Sequence, residues 1–260
     1  MRRREFITLL GGAAAAWPLA ARAQQPAMPV VGFVNAGLPD APLIAGFRKG
    51  LNEAGYVESQ NVTVEYHWLE GQFDRLPALM ADLARRRVAV IATPAGILAS
   101  QAAKAATTTI PIVFSVGEDP VKLGLVDSLA RPGGNATGFN QFNNEITAKR
   151  LGLLHDLVPK AIRVAVLVNP ANAPVAETTL RDIPEAARAF GLQIHIVNAS
   201  TNREIEAAFA ALVREQADAL FVAADGFFNS RPGRLATLAA HYGRLSHVRS
   251  SQTGCGALAC

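Results

Sequence analysis

The segment Val30-Val31-Gly32-Phe33-Val34 runs directly into the turn residues Asn35-Ala36-Gly37. A continuous apolar run of this length, bounded by turn residues, is typical of a strand buried on both faces of a parallel sheet. Residues 40–55 follow with a helical period, and Gly55 is a natural C-terminal stop. A buried strand followed by an amphipathic helix predicts an α/β fold, with helices packed on both faces of a parallel sheet.

The same alternation continues along most of the chain. Further strands are predicted at 61–68, 88–92, 111–116, 163–168, 192–197 and 218–223, and further helices at 73–86, from 94, near 120–130 and at 145–157, 174–190, 202–215 and 229–242. The turn-rich stretch Arg131-Pro132-Gly133-Gly134-Asn135 separates two such series. The pattern predicts two doubly wound α/β lobes, 29–138 and 139–243.

The N-terminus has the features of an export signal. Arg2, Arg3 and Arg4 precede an apolar stretch from Phe6 to Leu19, and Ala21-Arg22-Ala23 is a signal peptidase motif. Arg3-Arg4-Glu5-Phe6-Ile7 also resembles a twin-arginine signal. We expect residues 1–23 to be a signal peptide cleaved near Ala23, and the mature protein to be periplasmic; an uncleaved signal anchor is the alternative.

The charge balance argues against nucleic acid as a partner. The full chain carries a formal net charge of +4, but removal of residues 1–23 leaves 21 basic and 20 acidic side chains. No stripe of Lys and Arg remains that could neutralise a row of phosphates, and Arg85-Arg86-Arg87 suits the C-terminal end of a helix. The two cysteines, Cys255 and Cys260, lie in the last six residues, and we expect them to be incidental to the fold.

The sequence lacks the motifs of common catalytic and metal sites. The five histidines have no metal-ligand spacing: His67, His155, His195, His241 and His247. The sequence contains no nucleophile elbow, no P-loop and no dinucleotide-binding glycine motif after the first strand. We therefore expect no catalytic residue, no metal and no cofactor. A periplasmic enzyme is a third possibility, with Asp119 and Asp225 as the candidate acid/base pair.

Candidate ligand-binding residues follow the predicted strands, because ligands of open α/β sheets bind beyond the carboxyl ends of strands. These residues are Asn35, Thr93, Pro94, Ala95, Glu118, Asp119, Asn169, Asp225 and Phe227. Helix N-termini at these points offer unpaired N–H groups, which would hold a carboxylate without basic side chains. Each residue is also an ordinary turn or capping residue, so a purely structural role stays open for each.

Several stretches resemble a known family. They are Ile91-Ala92-Thr93-Pro94-Ala95, Leu51-Asn52-Glu53-Ala54-Gly55-Tyr56 and the long block from Asp119-Pro120-Val121 to Asn135-Ala136-Thr137-Gly138. They are similar to the ABC-transporter substrate-binding family that includes tryptophan- and tyrosine-linked binding proteins. The resemblance implies a two-lobed periplasmic-binding-protein (Venus-flytrap) fold, a monomer that closes on a small organic solute, and an ABC permease as partner.

The sequence departs from the family pattern in two places. The family tends to show Asp-Asn where this chain has Asp225-Gly226, so Phe227 is expected to supply an apolar or stacking surface instead. After Tyr242-Gly243 the sequence ceases to resemble the family, so we expect residues 244–260 to be an atypical tail and the second lobe to be incomplete. A frameshifted or truncated reading frame and a divergent but genuine terminus both explain this.

The function expected from these features is delivery of a small organic solute, such as an amino acid or another carboxylate, to an ABC importer. A ligand-sensing domain of a regulator has a similar lobed fold. The export signal argues against that alternative, because a cytoplasmic regulator would carry a DNA-binding segment in its place. A non-functional truncated product is the other alternative.

Overall fold

The computed structural model describes residues 28–94, 96–142 and 146–250, with side chains as far as Tyr242. The predicted signal peptide, Ala95, Cys255 and Cys260 lie outside the described residues. The strands are β1 (Val30–Asn35), β2 (Thr63–Trp68), β3 (Val90–Thr93), β4 (Ile112–Val116), β5 (Ala136–Asn140), β6 (Arg163–Val168), β7 (Gln193–Asn198) and β8 (Ala219–Val222). The helices are α1 (Ala41–Glu53), α2 (Leu76–Arg85), α3 (Ile97–Ala106), α4 (Thr147–Leu157), α5 (Ala173–Ala189), α6 (Asn202–Arg214), α7 (Gly226–Asn229) and α8 (Pro232–Ser250).

The strands form two parallel sheets, which confirms the predicted fold class. The first has the order β2-β1-β3-β4-β5, and the second has the order β7-β6-β8. Each strand pairs in parallel with its neighbours. The second lobe is thus partial, with three strands in the described residues.

Alternation along each strand gives both sheets two apolar faces. In the first lobe, Ile91 of β3 packs with α2 and α3, whereas Ala92 packs on the opposite face, near Leu43 and Phe47 of α1. In the second lobe, β6 and β8 pack against α6 and α8 on one face and against α4 and α5 on the other. Helices therefore pack on both faces of each sheet, as a doubly wound fold requires.

Two details of the prediction were wrong. The helix expected near 120–130 is a turn: the N–H of Leu125 donates to the carbonyl of Pro120, and Gly124 has a φ of +69°, which ends helical geometry. The sequence reading also assigned no strand to β5, which pairs with β4 through five residues. Only Ala136 of β5 is fully buried, so the strand lacks the apolar run that marks the others.

Candidate functional site

A buried carboxylate organises the loops at the carboxyl end of the second sheet. Asp225 follows β8, and its side chain is completely buried. One oxygen accepts hydrogen bonds from Asn169 Nδ2 at 3.1 Å and Phe227 N at 2.8 Å, and the other accepts from Asn172 Nδ2 at 2.6 Å. Burial raises the pKa of Asp225, and these donors oppose that rise by stabilising the ionised form. The network ties the loop after β6 to the start of α7.

The corresponding polar residues of the first lobe are satisfied without a charged group. Asn35 Nδ2 donates to the carbonyl of Pro94 at 2.9 Å, and Asn35 Oδ1 accepts from Gly37 N at 2.7 Å. The hydroxyls of Thr93 and Ser100 are 2.8 Å apart, and Ser100 Oγ donates to the carbonyl of Gly96. These bonds connect the loop after β1 to the loop between β3 and α3.

The two lobes touch where loops after β1 and β2 meet α7. A Cβ atom added to Gly37 would lie 2.8 Å from Ser230 Cβ and 3.1 Å from the carbonyl oxygen of Gly226. A Cβ atom on Gly71 would lie 2.9 Å from Phe227 Cδ2. Glycine therefore allows the first lobe to rest directly on α7, an arrangement that we call the glycine seat.

A second contact between the lobes involves α5. Val175, in its first turn, packs in the same buried cluster as the first-lobe residues Val34 and Leu69. The Asp182 carboxylate and, to a smaller extent, that of Glu118 in the first lobe raise the pKa of Arg181 on the same helix. The boundary between the lobes thus includes the glycine seat and the first turns of α5.

Several of the predicted site residues that the structure describes are inaccessible. Thr93, Asn169, Asp225 and Phe227 are buried, and the polar groups of the first three bond to other residues of the protein. Asp119 accepts from Val121 N within its own turn. Asp119 and Asp225 thus each bond within their own lobes.

Phe227 packs internally as well. The Arg231 guanidinium lies 3.9 Å from the centroid of the Phe227 ring, and its Nη1 donates to the Phe227 carbonyl at 2.7 Å. Phe228 meets the same ring edge-on. The stacking partner of Phe227 in this structure is therefore a side chain of its own lobe.

Sequence reasoning missed two polar groups that stand out in the structure. Asn172 Oδ1 and Ser115 Oγ are buried and have no hydrogen-bond partner among the described residues. Asn172 lies just before α5, and Ser115 lies near the carboxyl end of β4. The only available signal was the Asn-x-x-Asn spacing after β6, which is also common at helix starts.

The described part of the chain has neither a candidate metal site nor a membrane-spanning helix. No group of three or more His, Cys, Asp or Glu side chains there could hold a metal ion. Among the same residues, no helix has both the length and the hydrophobicity needed to cross a membrane.

Comparison with known proteins places this two-lobed fold in a family. The sequence profile described as "ABC transporter substrate binding protein" matches residues 37–240. A curated relative, the "Tyrosine-binding protein" of Clostridioides difficile (strain R20291), is 28% identical over 223 residues, which cover 83% of this chain and 61% of the relative. The chain thus spans about three-fifths of the length of this relative.

Solved structures show the same fold. A conserved domain protein from Vibrio cholerae O1 biovar El Tor has a TM-score of 0.66 at 25% identity, covering 83% of this chain and 72% of its own. The ABC domain from Streptococcus pneumoniae in complex with L-Trp has a TM-score of 0.68 at 22% identity, covering 84% and 71%. With the profile match spanning most of its length, the chain belongs to the ABC transporter substrate-binding protein family.

Proposed function

We propose that this protein is a periplasmic solute-binding protein, exported by a twin-arginine-like signal cleaved near Ala23, that delivers a small organic solute to an ABC permease. An amino acid or another carboxylate is the favoured solute class. The observation that carries this proposal is the meeting of the two lobes at strand-end loops, where Gly37 and Gly71 rest against α7. Such a boundary suits a monomer that closes around a ligand.

The chemistry of the cleft supports a small polar solute. The proposed binding residues are Asn35, Thr93, Pro94, Ala95, Glu118, Asp119, Asn169, Asp225 and Phe227. Those with buried side chains act by shaping the loops, and the N-terminus of α3, which has no side-chain cap, offers backbone N–H groups for a carboxylate. The relatives named for tyrosine binding and solved with L-Trp point to the same class of ligand.

The proposal is tested by thermal-shift screening of the mature chain against amino acids and other small carboxylates. A ligand that binds only the native state raises the unfolding free energy by RT ln(1 + [L]/Kd), so a true solute raises the melting temperature. Thr93→Ala and Asn169→Ala should reduce that rise, because each disturbs a loop that borders the cleft. The site is wrong if both variants respond as the parent does.

Delivery requires a separate experiment. Deleting the gene should abolish uptake of the radiolabelled solute by intact cells, and a plasmid copy should restore it. Unchanged uptake in the deletion strain, with a purified protein that binds the solute, would reject transport while leaving solute binding intact.

A further inference from the structure

The buried side-chain oxygen of Asn172 has no hydrogen-bond partner among the described residues. We propose that Asn172 Oδ1 accepts a hydrogen bond from an ammonium group of the bound solute, and that Asp225 is the positioning residue that aims this oxygen. The inference rests on the proposed function and narrows its solute class to amino acids and other primary amines.

Asp225 determines which way the Asn172 amide faces. An ionised carboxylate only accepts hydrogen bonds. The Asn172 side chain, whose nearest amide atom is 2.6 Å from Asp225 Oδ2, must therefore direct its NH2 group toward the carboxylate. The Asn172 oxygen then points away from the carboxylate. Asn169 is held by the same group, but its oxygen accepts from Ala171 N at 3.1 Å. The Asn172 oxygen is the one left without a donor in this network.

Burial makes an unpaired acceptor expensive. Asn172 is only 6% exposed, and a buried polar group without a hydrogen-bond partner destabilises the folded protein. Buried polar side-chain atoms in folded proteins nearly always have a partner, so each exception calls for an explanation. A solute that donates a hydrogen bond to this oxygen would remove the cost, and the gain would appear as affinity.

The location of Asn172 fits contact with a solute held between the lobes. Asn172 immediately precedes α5, and Val175, three residues later, already packs in the first-lobe cluster with Val34 and Leu69. The amide therefore lies at the boundary between the lobes, beside the loops proposed to enclose the solute.

The local charge favours an ammonium group over a neutral donor. The Asp225 carboxylate lies on the other side of the Asn172 amide. Arg231 donates its side-chain hydrogen bonds to other residues of the second lobe. Burial lowers the pKa of Arg231, and the Glu70 carboxylate raises it more than the Asp225 carboxylate does. The N-terminus of α5 opposes a cation with roughly half an elementary charge, which is less than the full charge of the carboxylate. A solute carboxylate at this point would be repelled, so it is expected to bind elsewhere in the cleft.

The test compares the affinities of two solutes, with and without the amino group, for the parent protein and for a variant that lacks the Asn172 amide. The twenty standard L-amino acids are screened by calorimetry on the mature chain, and the tightest is compared with its des-amino analogue. We expect the analogue to bind at least tenfold more weakly to the parent protein. In Asn172→Ala this ratio should fall below about threefold. Asn198→Ala, which changes an exposed asparagine at the end of β7, should retain the parent ratio.

The possible outcomes separate the inference from the wider function. An analogue that binds the parent as tightly as the amino acid overturns the inference, and this comparison needs no variant and so no refolding control. An equal ratio in the parent and in Asn172→Ala also overturns it. If the folded parent binds no amino acid but binds another small carboxylate, the ammonium inference fails while the proposed solute-binding function stands.

Discussion

The two lobes meet at the same boundary but differ in the number of their strands and in the hydrogen bonds that hold the loops after those strands. In the first lobe β1, β3 and β4 each have neighbours on both sides, whereas among the described strands of the second lobe only β6 does. Yet Ala219, Leu220 and Phe221 of β8 are buried, because helices cover both faces of this edge strand. The comparison shows that helices can bury both faces of a strand such as β8 even though one of its edges has no neighbouring strand among the described residues.

The lobes also differ in how their strand-end loops are held. Asn35 in the first lobe bonds to backbone groups, whereas the second lobe relies on one buried carboxylate that binds two asparagines and a backbone N–H. Removing a shared acceptor leaves several donors unsatisfied at once. The second lobe should therefore be the more sensitive to single substitutions.

The largest expected effect tests that difference directly. Asp225→Ala should lower the free energy of unfolding of the second lobe by about 3 kcal/mol or more. The substitution leaves the amide groups of Asn169 and Asn172 and the N–H of Phe227 buried without an acceptor. Asn35→Ala, the first-lobe counterpart, should cost about 1–2 kcal/mol. Urea unfolding, with hydrogen exchange to separate the lobes, measures both. Equal losses would remove the proposed asymmetry.

The next effect concerns the outer edge of β8. Arg150 Nη2 donates to the carbonyl of Val222 at 2.9 Å, and the guanidinium lies 4.9 Å from the centroid of the Phe221 ring. Arg150→Ala should destabilise the second lobe by about 1–3 kcal/mol and increase aggregation, since it uncovers a strand edge. Exposed Lys149 provides the control, and Lys149→Ala should change stability by less than about 0.5 kcal/mol. Matching behaviour of the two variants would contradict this role of Arg150.

A smaller effect follows from the buried carboxyl group. Because burial raises the pKa of Asp225 above its usual 3.8, the native state binds this proton more tightly than the unfolded chain does. The contribution of Asp225 to stability should therefore fall as pH rises from about 4 through the raised pKa, by at most about 1.4 kcal/mol per pH unit. Denaturant titrations of the parent and Asp225→Asn across this range give the difference. A difference that is constant with pH, or that changes in the other direction, would show that Asp225 is not destabilised by burial.

The smallest effect lies on a part of the first sheet that is uncovered among the described residues. Phe139 of β5 is 60% exposed, and Val113 of β4 is 45% exposed. Phe139→Thr should change the free energy of unfolding by less than about 0.5 kcal/mol. Phe114 faces the buried side of the same strands, and Phe114→Ala should cost about 3–5 kcal/mol. A large loss in Phe139→Thr would mean that another part of the protein covers this face.

Most of the fold was predictable from sequence because most strands are apolar runs between turn residues. Strand β5 was missed because its pattern contains Gly138 and exposed Phe139. A helix was wrongly predicted near 120–130 because Val121 and Leu125 are four residues apart, a helical spacing, whereas the positive φ of Gly124 ends helical geometry between them. Both errors arise where local pattern and tertiary packing disagree.

The site was less predictable than the fold. The strand-end rule selected Asn35, Asn169 and Asp225, which lie at the carboxyl ends of β1, β6 and β8, and their role in binding stays a prediction. It did not find Asn172, because the significance of its oxygen depends on a carboxylate 53 residues away in sequence. Gly37 likewise reads as an ordinary turn residue until Ser230 is placed against it.

The central claim is that these two lobes close on a solute, and calorimetry on a glycine-seat variant tests it most directly. Gly37→Ala places a methyl group against Ser230 only when the lobes meet, whereas Gly46 has open space around it and Gly46→Ala serves as control. With overpacking costs of about 1–3 kcal/mol, Gly37→Ala should weaken solute binding by about 5- to 150-fold, with both lobes still folded. Gly46→Ala should bind as the parent does. Equal affinity of Gly37→Ala and the parent would contradict closure at this seat.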